Sequence, residues 1–148
     1  MSFSSEAALK AALVAACTNA VAQVEEKVYE EFAGSLNQYY TEFMPAEYIR
    51  TGALYGSLDR TGIQSSGSGA SAEVFFNIPS YQNGWVPLQS GDYGYATWSG
   101  AKVLDTAMHG SHGGYVSGTA IWDDSISSLG GKAGIKAMLI EALKAQGL

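Results

Sequence analysis

Cysteine is nearly absent: Cys17 stands alone among 148 residues. No disulfide can close within the chain, and folding in a reducing compartment is the natural reading. Cations are scarce too, 8 against 14 acidic residues for a net charge of −6, and they never cluster. A duplex-binding surface needs a basic patch to displace counterions from phosphates, so sequence-specific or wrapping contact with nucleic acid is disfavoured. An acidic surface is still compatible with DNA sliding past it. No stretch approaches the ~20 apolar residues of a membrane span, so no membrane partner is expected. With 47% hydrophobic and 15% charged residues, the chain has the apolar content to fold rather than stay disordered.

Phosphate-binding loops, dinucleotide fingerprints and the Gly-x-Ser-x-Gly nucleophile elbow are all missing. Val14-Ala15-Ala16-Cys17 matches a lipoprotein cleavage box. The segment before it holds Glu6 and no cation apart from Lys10, which interrupts the apolar stretch. A cysteine on a helix is therefore expected rather than a cleaved signal.

What is present has a clear order. Leu9, Leu13, Cys17, Val21, Val24, Val28, Phe32 and Leu36 recur every three or four residues, which predicts a helix over 5–40. Ser4 or Ser5 can cap it, Glu6 suits its positive end, and Gly34 is a place for a break or bend. Glu25, Glu26, Glu30 and Glu31 are expected on its wet side. Such a helix, about 45–50 Å long, exceeds what a small domain covers alone. A turn is predicted at Thr51-Gly52, then a short helical turn. Residues 58–64 then pair with the alternating stretch 71–78, leaving the Gly/Ser run 65–71 as a hairpin tip. Residues 93–98 read as another strand, and 102–108 as a short helix or strand. Residues 115–122 read as a last strand turning at Asp123-Asp124. Ile135, Met138, Leu139, Ala142 and Leu143 mark a C-terminal amphipathic helix over 132–146, with Gly147 as its stop. The fold class is α+β in one domain, 1–148. A long N-terminal helix, a β-rich middle over 50–122 (a small, mainly antiparallel sheet with a long hairpin) and the C-terminal helix make it up.

The residues with chemical potential are few. His109 and His112 could ligate a metal with Asp105, Asp123 or Asp124, but their glycine-rich frame fixes no geometry, and contact with backbone or a partner is the simpler role. Ser111 or Ser117 with a histidine and Asp105 would make a hydrolase without its supporting signature. No catalytic, metal or cofactor site is assigned. The 9 tyrosines and 3 tryptophans suit core and interface duty. Phe76 and Trp122 are expected in the core, Tyr81 and Trp85 at an interface. Stacking on carbohydrate is the alternative for the aromatics. Arg50, one of few arginines, can form a bidentate bond to a carboxylate or stay solvated.

The segment from Tyr48 to Leu58 (YIRTGALYGSL) resembles a recurrent stretch of the neck and tail-completion proteins of long-tailed bacteriophages. In that family an arginine-threonine-glycine-x-leucine element follows a long N-terminal helix. A hairpin, an aromatic strand running into a glycine turn, and a C-terminal amphipathic helix come next. Here the strand would be 93–98 and the turn 107–111. Residues 109–124 (HGSHGGYVSGTAIWDD) are similar to phage neck proteins from Gram-positive hosts. Thr106-Ala107-Met108 and Trp122-Asp123-Asp124 depart from the commonest pattern, which leaves the ring position open. The resemblance implies a non-enzymatic virion part, assembled in the host bacterial cytoplasm as a homo-oligomeric ring through which DNA can pass. Its neighbours would be connector and tail-tube or tail-terminator proteins. Arg50, Thr51, Gly52, Leu54, Tyr81, Trp85, His109 and His112 are the candidate subunit-interface residues, and the Gly/Ser-tipped hairpin is a candidate docking arm.

Overall fold

The computed structural model describes residues 4–42, 54–77, 105, 107–109, 111–112, 115–116 and 120–147, those at 42, 111, 112, 115 and 116 by backbone alone. The architecture is α+β, with a long N-terminal helix, short hairpin ladders and a C-terminal helix.

Helix α1 spans Glu6–Glu42. Ser5 caps it: its Oγ accepts the Ala8 N–H at 3.2 Å, and its carbonyl accepts the Leu9 N–H at 3.1 Å. The helix runs through Gly34 without interruption. A mid-helix glycine costs about 1 kcal/mol, and the buried Phe32, Ser35 and Leu36 around it outweigh that.

A 3-10 turn, Tyr55–Ser57, leads into β1 (Leu58–Arg60). β2 (Gln64–Ser66), β3 (Gly69–Ser71) and β4 (Val74–Phe76) complete the hairpin. β1 neighbours β4, and β2 pairs antiparallel with β3 in the register Gln64↔Ser71, Ser65↔Ala70, Ser66↔Gly69. The Gly/Ser run is thus the tip, as its composition predicts. A two-residue ladder joins β5 (Ser111–His112) to β6 (Tyr115–Val116). Asp105 and residues 107–109 are helical.

The expected strand over 115–122 is corrected: it ends at Val116, and Ile121–Ser128 is a helix, α2. The acidic pair read as a turn instead starts that helix. The Asp124 N–H donates to the Ala120 carbonyl at 2.8 Å, and the Asp124 carboxylate accepts the Ala120 N–H at 2.9 Å. The first is the opening bond of the helical ladder, and the second satisfies an N–H that a helix start leaves open. Helix α3 covers Gly131–Ala145 and ends at Gly147, whose φ of 85° is a left-handed cap.

Two compact units emerge, each discontinuous in sequence, and the division falls within α1, β1 and β4. The first comprises Met1–Glu30, Arg60–Val74 and Leu129–Leu148; the second comprises Glu31–Asp59 and Phe75–Ser128. Among the described residues, the buried apolar side chains of the first unit are all alanines, Ala16, Ala20 and Ala142. Asn19 Nδ2 of α1 donates to Gln146 Oε1, just past the end of α3, at 3.3 Å. The second unit buries the large groups: Phe32, Leu36, Tyr39, Leu54, Met108 and Ile121. Each contributes roughly 1.5–3 kcal/mol of transfer free energy, so this unit carries the stronger hydrophobic drive.

The helical stripe is buried unevenly. Phe32 and Leu36 are enclosed, whereas Leu9 and Leu13 stay 38% and 39% exposed. By length and composition alone α1 is apolar enough to cross a bilayer, with a mean hydropathy of 1.4 over 18 residues, 17% of them buried. This differs from the sequence expectation. Eight alanines between Glu6 and Val24 raise the average without forming a run of large apolar side chains.

Candidate functional site

Two clusters of described side chains bring charge together, one in each unit.

In the first unit, Arg60 at the end of β1 reaches back to α1. Its Nη1 pairs with the Glu26 carboxylate in a short contact and lies 3.5 Å from Glu25 Oε2. Its guanidinium carbon sits 4.6 Å from the centre of the Tyr29 ring, within cation–π range. Glu25, Glu26 and Tyr29 fall within one helical turn and so converge on one cation. The hydrogen bond to Glu26 and the charges of both glutamates hold the Arg60 pKa above its ordinary value, against the opposing effect of burial. Glu25 is not on the wet side as expected: its side chain is 8% exposed, and its Oε1 is buried without a hydrogen-bond partner. The mutual approach of Arg60 and Glu25 spans 35 positions, which helical periodicity does not encode.

In the second unit, His109 Nδ1 lies 3.3 Å from both carboxylate oxygens of Asp123. Both side chains are more than half exposed. The sequence named both residues but not the pairing, which arises because α2 begins where a turn was expected. Among the described residues, no group of three or more His, Cys, Asp or Glu side chains is placed to hold a metal. Ser125, also on α2, is fully buried and donates to Ser35 Oγ, so it is not presented to substrate.

The same unit holds an aromatic group. Phe32 meets Phe76 edge-on at 6.0 Å and Trp122 at 5.3 Å. Trp122 keeps 45% of its surface exposed, so the expected core tryptophan is a partly open one. Tyr55 is half exposed; its hydroxyl donates to Asn37 Oδ1 at 2.9 Å and its ring meets Tyr40 edge-on.

Of the candidate interface residues, Arg50, Thr51, Gly52, Tyr81 and Trp85 lie outside the described residues, and His112 is described by backbone alone. Leu54 is buried within its own unit at 4% exposure, where its carbonyl accepts both the N–H and the hydroxyl of Ser57. His109 is at the surface. No protein-family model matches the chain, and neither a curated protein nor a solved structure does.

Proposed function

We propose that this chain is a structural virion protein of a phage neck, completing the tail or joining it to the head as a homo-oligomeric ring. The observation that carries the reading is the order of parts: a long α1 with an incompletely covered apolar stripe, a hairpin with a Gly/Ser tip, and a C-terminal helix, joined to the YIRTGALYGSL segment. Exposed Leu9 and Leu13 on one unit, and Trp122 and Tyr55 on the other, offer apolar area that ring neighbours could bury. The closed symmetry of a ring would fix the copy number. Its partners would be further copies, connector proteins, and tail-tube or tail-terminator proteins.

Light scattering of the purified chain across a concentration series tests this. A fixed multiple of the 15.6 kDa chain is expected, with rings visible by electron microscopy. A strict monomer at high concentration that also fails to join purified neck particles would overturn the reading. The competing reading, a small enzyme, has the His109–Asp123 pair in its favour. It requires stoichiometric metal or a hydrolytic activity that His109→Ala abolishes.

A further inference from the structure

The hairpin of the first unit is built in two separately paired pieces. At its root, the Thr61 N–H donates to the Glu73 carbonyl and the Glu73 N–H donates to Thr61 Oγ1, each at 3.0 Å. At its tip, β2 and β3 form their own ladder. Between the two lies Gly62, with φ of 67° and open space where a Cβ would stand. The root is fastened to α1 by Arg60 on Glu25, Glu26 and Tyr29. The tip is not fastened in the same way. β2 is exposed throughout, β3 is half-buried only at Gly69 and Ala70, and the hydrogen bonds of Ser66 and Ser68 stay inside the tip. Beneath Ser65 and Gly67 lies an open groove of ≈ 630 Å³, whose α1 floor mixes Ala7, Ala11, Val14 and Ala15 with Lys10, Thr18 and Asn19. A packed protein interface leaves few voids larger than a water molecule, so this tip rests over α1 without being packed on it.

We infer that the β2–β3 hairpin is a strap: latched to α1 at its root by Arg60, jointed at Gly62, and able to swing its tip away from α1. The latch is ionic and more than a third exposed at Arg60, so screening weakens it, whereas apolar packing would resist salt. This inference is independent of the neck reading, since it concerns one free copy of the chain.

The test uses the full chain carrying Cys17→Ala, with spin labels at Leu9→Cys and Ser68→Cys. A second pair, Leu9→Cys with Gln23→Cys, serves as a ruler within α1. Double electron–electron resonance should give a broader distance distribution for the strap pair than for the ruler. Arg60→Ala should shift it to longer distances, and so should about 1 M salt, where the screening length falls to ~3 Å. Circular dichroism checks that α1 persists; if Arg60→Ala fails to fold, the salt series decides. A strap distribution as narrow as the ruler's, or one that neither change moves, overturns the inference.

Discussion

Ser125 Oγ donates to Ser35 Oγ at 2.8 Å, inside the second unit and across 90 positions of sequence. Ser125 is fully buried and Ser35 nearly so. A polar pair in such a place must be satisfied internally, because water cannot reach it. It joins α1 to α2 at one register and adds direction to an otherwise apolar contact.

Replacing one member tests that account. Ser125→Ala should destabilise the chain by about 1 kcal/mol, with a larger loss for Ser125→Val, whose extra volume must be forced into a filled site. Chemical denaturation of both variants and of the double variant Ser35→Ala/Ser125→Ala measures it. The double variant should lose less than the sum of the singles, because they share one bond.

The large buried side chains of the second unit should dominate stability. Leu36→Ala is expected to cost about 2–5 kcal/mol, from lost transfer energy plus a cavity. Leu13→Ala, at a 39% exposed position of the same stripe, should change the free chain by well under that. If an assembled ring buries Leu13, the same variant should weaken assembly while leaving the denaturation midpoint of the free chain nearly unchanged. Paired denaturation and light scattering separate the two effects.

Gly134 sits where α3 turns back against Leu129. A Cβ there would stand 1.9 Å from the Leu129 carbonyl oxygen, which is backbone and cannot move aside cheaply. Gly134→Ala raises helix propensity, so propensity alone forecasts stabilisation. The opposite is expected: a fall in the denaturation midpoint, seen as earlier loss of helical circular dichroism on heating.

The His109–Asp123 pair is a surface contact, with both side chains more than half exposed. His109→Ala and Asp123→Ala should each alter stability by no more than about 1 kcal/mol. Titration with zinc, followed by calorimetry, should show no tight binding that either substitution removes. Stoichiometric binding abolished by both would move the protein toward the metal-enzyme reading.

Much of the helical framework was legible in sequence because its signals are local. Ser5 before an apolar repeat of three and four, and Gly147 after the last one, report the ends of α1 and α3 through caps and periodicity. The hairpin tip follows from the backbone freedom of its glycines and the alternation beside it. Trp122-Asp123-Asp124 misled, since the aromatic residue suits a strand and the aspartates suit either a turn or a helix start. Only the bonds between Ala120 and Asp124 decide between those two.

The sequence by itself determined the two long helices and the hairpin between them, the acidic balance and the lack of a disulfide within the chain, since these depend on neighbouring residues or on composition. The tertiary structure decided which half of the α1 stripe is enclosed, that Glu25 is buried beneath Arg60, and that Ser35 meets Ser125. Those outcomes depend on which distant segments arrive at each helical face. Periodicity marks an apolar face without naming what covers it, and a charge shows its sign without naming its partner.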